Sequence, residues 1–468
     1  MTRRTALRTA AALPAALAMP AIADPALAPD RQAEALAERP LFGALAWTEA
    51  NGLRVVLAES RRVPVAAQYL FYAAGGGEDP PGRSGLAHFL EHMMFKGSRN
   101  VPPGAFSLAV AREGGQDNAF TSRDVTAYHQ HVEASRLPLV MRMEADRFAA
   151  PLIPEDQVEP ERAVVLEERR QRTDSNPRAR FVEAFDAALW GPQHWRGRPI
   201  IGWEEEIRAI TREDMLAFFE QRYAPANAVL VVAGDVREAE LRRLVEQFYA
   251  PVPARPHRAR DRAPPPAAPL EPRLVREDPL VREALLLRSF AAPSLTWGDP
   301  DQAWALEVLA HLLGGGPGSR MHAALVETGL ATTAACSYHG EVAGAATFAL
   351  SATPRPGVAP DRLEAALDAV LERLLQEGPT AAELSRAVRQ ITAGAVLTLD
   401  SIGAVPRLIG SALAIGLPLE LVEFWPRRLR EVTLPQVTEA GRAVLGNGLH
   451  ATGWLLPGPA APQRGGPA

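Results

Sequence analysis

Hydrophobic and polar positions along this chain predict a fold that mixes strands and helices. Residues 53–58 are an apolar run directly after Asn51-Gly52, a pair that favours the tight turn of a hairpin. In the next run Val65, Ala67, Tyr69 and Phe71 interleave with Ala66, Gln68, Leu70 and Tyr72. Both faces are largely apolar, so this strand is expected inside a sheet, ended by the turn Gly75-Gly76-Gly77. A helix is predicted over 85–96, with Ser84 as its N-cap and Gly97 closing it. Thr211, with Asp214 three residues on, starts another helix. Residues 228–233 read as a short strand, and 238–249 as a helix with an apolar stripe at Leu241, Leu244, Val245 and Phe248.

The pattern breaks at residues 251–272, where proline is too dense to pair in a sheet or continue a helix. This segment reads as a semi-rigid linker. Beyond it, strands at 284–290 and 345–353 and helices at 301–313, near 319–327, at 361–376 and at 381–399 repeat the order of the first half. The expectation is a duplicated α+β domain, residues 40–250 and 273–458, joined by that linker. A length of 468 residues agrees, since it exceeds what one hydrophobic core usually supports.

Composition narrows the function classes. Apolar residues at 47% and charged residues at 22% are ordinary for soluble proteins, which disfavours disorder and a membrane bundle. A net charge of −5 gives no basic footprint for nucleic acid. Cys336 is the only cysteine, so neither an intrachain disulfide nor a multi-thiolate metal site is possible. Any metal must be held mainly by histidines and carboxylates. Arg3, Arg4 and Arg8 precede an Ala/Leu-rich stretch at 10–19, and Ala21-Ile22-Ala23 offers small residues for cleavage. Residues 1–23 therefore read as a secretory signal, which implies a periplasmic location. The other reading, an N-terminal helix of the fold, would be broken by Pro14 and Pro20. Thr2-Arg3-Arg4 resembles a twin-arginine signal, but Ala6 stands where a large apolar residue is usual, so the Sec and Tat routes both stay open. No uncharged run after residue 24 is long enough for a membrane helix.

Candidate chemistry sits in the helix at 85–96. His88 and His92 lie four residues apart, so their imidazoles share one face a turn apart. Glu91 is placed to reach a water at an open zinc position without being a ligand itself, and its carboxylate can take that water's proton. The pattern H-x-x-E-H is the inverted form of the zinc-peptidase motif. His129, His131, His311, His322 and His339 lack ligand spacing with a carboxylate on a shared helix and read as surface or satisfied core positions.

The stretch Gly85-Leu86-Ala87-His88-Phe89-Leu90-Glu91-His92-Met93-Met94-Phe95-Lys96-Gly97 closely resembles the signature of the pitrilysin and insulinase family, which includes mitochondrial processing peptidase. The resemblance implies a zinc metalloendopeptidase acting on small unfolded peptides, built as two processing-peptidase-like α+β domains that face each other as a clamshell. It places the third zinc ligand at Glu168, in a stretch resembling 161–168, with Glu161 as a supporting carboxylate. Glu167 competes with Glu168 as ligand, a surface ion pair with Arg169 or Arg170 being its other reading. Residues 115–122 resemble the family's edge strand, which implies that Asn118, Ala119 and Phe120 bind an extended substrate through main-chain hydrogen bonds. Self-sufficient members carry an Arg and a Tyr seven residues apart in the second half. Leu325 and Thr332 stand at those positions here, which implies a heterodimer whose homologous partner, lacking the zinc motif, supplies the pair. The alternative function is a non-catalytic structural or binding subunit of the same fold.

Overall fold

The computed structural model describes residues 39–459 apart from 399, 400 and 402, so the expected signal segment lies outside the described residues. In the first half, β1 (Leu45–Thr48), β2 (Arg54–Glu59), β3 (Val65–Tyr72), β4 (Gln116–Thr121), β5 (Thr126–Glu133) and β6 (Ala228–Gly234) form one sheet in the order β1-β2-β6-β3-β5-β4. In the second half, β7 (Arg273–Asp278), β8 (Leu285–Ala292), β9 (Ala331–Tyr338), β10 (Ala346–Pro354) and β11 (His450–Pro457) form another in the order β7-β11-β8-β10-β9.

The two sheets share one topology. β2 runs parallel to β6, after which β3, β5 and β4 follow antiparallel. β7 runs parallel to β11, after which β8, β10 and β9 follow antiparallel. This is the duplication that the repeated pattern predicts. β1 is an addition to the first sheet, joined to β2 through the Asn51-Gly52 turn.

β3 has no polar face because it lies between β6 and β5, with helices on one side and the second half on the other. Ala66, Leu70 and Tyr72 pack with the helices, including α1 (Leu86–Met93) and α2 (Glu155–Arg169). Ala67, Tyr69 and Phe71 join a core shared with the second half. There α3 (Ala404–Ala414) crosses from the second half to lie on β3 and β6. Its close approach requires Gly410, where a Cβ would fall 2.0 Å from the Phe71 ring.

Two local expectations are corrected. Ser84 does not cap α1, because Gly85 occupies the cap position at φ 88° and the capping acceptor is Asp79. The Asp79 carboxylate accepts from the amides of Gly85 at 2.8 Å and Ala87 at 2.9 Å, while the Ser84 hydroxyl accepts from Trp203 N at 2.9 Å. Burial raises the Asp79 pKa to about 7, against the pull of these amides, and its two oxygens reach two amides of the first turn where a hydroxyl would serve one. The helix also stops at Met93, before the Gly97 expected to close it. Residues 251–272 contain neither helix nor strand, yet they are firmly held. Arg262 donates to Glu78 at 2.8 Å and to the Ala343 carbonyl at 2.7 Å, tying the Gly75–Gly77 turn to the second half.

Candidate metal centre

α1 is amphipathic: Leu86, Phe89, Leu90 and Met93 enter the core, which turns His88 and His92 toward α2. The two imidazole centroids are 4.8 Å apart. On α2, Glu161 and Glu168 lie two turns apart on one face. Glu168 sits in the last turn, where the backbone widens into a π-helical turn over Arg170–Asp174, a feature common at functional sites.

These helices bring three ligand atoms together. His92 Nε2 is 3.3 Å and His88 Nε2 3.7 Å from Glu168 Oε2, and the three residues' ligand atoms all lie within 4.8 Å of one another. Donors about 2.0–2.1 Å from a tetrahedral zinc would be roughly 3.3 Å apart, so two imidazole nitrogens and one carboxylate oxygen at this spacing fit zinc with a fourth position open. Among the described residues no other group of histidine, cysteine and acidic side chains converges in this way. Glu161 Oε1 is 2.9 Å from His92 Nδ1 and also pairs with Lys96, which fixes the ring with Nε2 facing inward. Arg172 holds the other oxygen of Glu168 at 2.8 Å.

Electrostatics divides the histidines. Burial, reinforced by the charge of His92, lowers the His88 pKa to about 4, so this imidazole is neutral. For His92, burial acts downward, but hydrogen bonds to Glu161 and Glu168 prevail and raise its pKa to about 9. An imidazolium wedged between two carboxylates occupies a place suited to a metal cation. The His88 Nδ1 is buried and has no hydrogen-bond partner among the described residues.

Glu91 points from the same helix toward the edge strand, and Thr121 Oγ1 donates to its Oε2 at 2.5 Å. Burial raises the Glu91 pKa while this hydrogen bond opposes the rise. β4 presents Thr121 and Ala119 to the α1 side and Phe120 to the shared core side. Asn118 is exposed, and its Oδ1 accepts from Ala119 N at 2.8 Å. Glu167 points away from the cluster into an exposed pair with Arg170 at 2.7 Å. Sequence reasoning overlooked Asp79, which anchors the start of α1, and gave Thr121 no role. A carboxylate just ahead of the Gly85 turn was the available signal for Asp79, whereas nothing local marked Thr121.

A family model described as "Insulinase (Peptidase family M16)" matches residues 54–200, and one described as "Peptidase M16 inactive domain" matches residues 209–391. The chain is 30% identical over 407 residues to an uncharacterized zinc protease of Streptomyces coelicolor, covering 85% of this chain and 86% of that one. It is also 30% identical over 373 residues to zinc protease PqqE of Helicobacter pylori, covering 78% and 82%. A crystal structure of a protease from Helicobacter pylori superposes with a TM-score of 0.78 at 26% identity, covering 89% of this chain and 100% of that one. The periplasmic protease PqqL of Escherichia coli has the same fold, at a TM-score of 0.75 and 20% identity, over 88% of this chain and 47% of its own.

Proposed function

The chain belongs to the insulinase family of peptidases, M16, and we propose that it is a zinc-dependent endopeptidase that cleaves small unfolded peptides. The observation that carries this reading is the convergence of His88, His92 and Glu168 with Glu91 beside them. The three converging residues would hold the metal. Bound zinc would polarise the scissile carbonyl and lower the pKa of water toward neutrality. Glu91 takes the proton of the attacking water and passes it to the departing amine, and the burial that raises its pKa suits it to holding that proton in between. Glu161 keeps the His92 ring in register. The outer edge of β4 holds the substrate backbone extended beside these groups, through the main-chain groups of Ala119 and Thr121 rather than those of Asn118 and Phe120, which pair with β5.

We further read the chain as the zinc half of a heterodimer. Leu325 is fully buried, and the Thr332 hydroxyl bonds the Thr353 carbonyl at 3.3 Å. The nearby candidates are committed elsewhere: Arg320 to Glu383 at 2.7 Å and Tyr338 to the Pro293 carbonyl at 2.6 Å. Donors for the developing oxyanion would come from a homologous subunit without the zinc motif.

Zinc analysis of the purified chain, with peptide cleavage by wild type and Glu91→Gln, tests the catalytic reading. The expected result is about one zinc per chain in both, with turnover only in wild type. Normal cleavage by Glu91→Gln would overturn the mechanism. Absence of zinc would favour the non-catalytic subunit of the same fold.

A further inference from the structure

From the placement of Arg407 against Phe120 we infer that this side chain, supplied by the second half, selects an acidic residue in the bound peptide at the position beside Phe120. The inference rests on the substrate strand adding to β4. Among the described residues β4 is the terminal strand of its sheet, with no strand on its outer edge. Ser122 N donates to Val125 O at 2.8 Å, which fixes the alternation: the amides of Asn118 and Phe120 face β5, and those of Ala119 and Thr121 face the outer edge. A peptide pairing with Ala119 and Thr121, and displacing the Asn118 Oδ1 that accepts from the Ala119 amide at 2.8 Å, therefore sets one residue beside Phe120 as a non-hydrogen-bonded neighbour. Such neighbours stand on the same face with Cβ atoms about 4.5–5.5 Å apart.

On that face the Arg407 guanidinium lies 4.3 Å from the centre of the Phe120 ring. It is exposed, and among the described residues no carboxylate or hydrogen bond engages it. Other arginines near the site are paired, Arg123 with Asp186 at 2.9 Å and Arg172 with Glu168 at 2.8 Å. The neighbouring acid on β4, Asp117, takes hydrogen bonds from Ser107 at 2.7 Å and from the core residue Gln130 at 3.0 Å. The acid on this face of β5 is Glu133, six residues from the Ala127 that pairs with Phe120, hence about 20 Å along the strand. The other polar groups there are His129, His131 and Tyr69. Phe120 thus holds a cation against its ring whose hydrogen-bonding groups nothing among the described residues answers, and a substrate carboxylate would complete it.

The test uses extended fluorescent peptides that differ only in a single Glu or Lys moved along the sequence. Cleavage by wild type is followed by mass spectrometry, and binding to the Glu91→Gln variant by anisotropy. Each is repeated with Arg407→Glu and Arg407→Met added. The expected result is a preference for Glu over Lys of about tenfold at one position, lost in Arg407→Met and reversed in Arg407→Glu. An unchanged profile would overturn the inference, as would a change spread evenly over all positions, which would mark a long-range field. Failure of cleavage with the preference intact in binding would count against the catalytic reading alone. Cleavage with no Arg407-dependent preference would count against this one alone.

Discussion

Thr121, at the end of the edge strand, donates a 2.5 Å hydrogen bond to the carboxylate of Glu91 on the helix that carries the two histidines. The strand proposed to hold the substrate and the proposed general base are therefore mechanically joined.

Removing only that hydroxyl, in Thr121→Val, should lower kcat about tenfold with KM and zinc content little changed, since it frees the base without touching the ligands. Thr121→Ser should restore the rate. Steady-state kinetics with metal analysis checks this, and a serine variant as slow as the valine would make Thr121 a packing residue.

Glu161 fixes His92 through its Nδ1, 2.9 Å away, without being a ligand. Glu161→Gln should weaken zinc binding by about 10–100-fold while the fold persists. Competition against a calibrated chelator measures this, and unchanged affinity would mean that the contact orients nothing.

Glu307 provides a pH test away from the site. Burial, and then the nearby charge of Glu341, raise its pKa from 4.5 to about 7. A carboxyl that binds its proton more tightly when folded costs nothing below its unfolded pKa; the cost builds as pH rises from 4.5 to 7 and is full above that. Glu307→Gln should match wild type near pH 4.5 and be more stable by about 1–3 kcal/mol at pH 8. Urea unfolding at both values reads it, and equal stabilities at pH 8 would show that the folded protein solvates the charge.

If the oxyanion donors come from a partner, the purified chain should cleave peptides slowly by itself and about 10²-fold faster with a homologue carrying the Arg and Tyr. Full activity as a monomer, with no binding or acceleration by such a homologue, would exclude the heterodimer.

Much of the fold was legible because its signals are local. The two-faced apolar run at 65–72 became the inner strand β3, and Thr211 with Asp214 forms a full capping box. The similar order of strands and helices in the two halves suggested a repeat, although β7, β9 and β11 of the second sheet were not among the expected strands. Segments with weaker periodicity, such as β7 with its mostly polar Arg273–Asp278, were not legible, since their place depends on a neighbouring strand rather than on their own pattern.

The site divides along the same line. Four-residue spacing on one helix sets His88 and His92 on a common face whatever surrounds them, so the sequence by itself determined that pair, with Glu91 beside it. Choosing between Glu167 and Glu168 on local grounds was impossible, because adjacent helical residues point about 100° apart and only the docking of α2 decides which one faces α1. Tertiary structure turned Glu168 to the histidines and Glu167 to Arg170. It likewise gave the cap of α1 to Asp79, joined Thr121 to Glu91, and carried Arg407 across to Phe120. Each of these contacts depends on how separate elements pack, a relation that spacing along one segment does not contain.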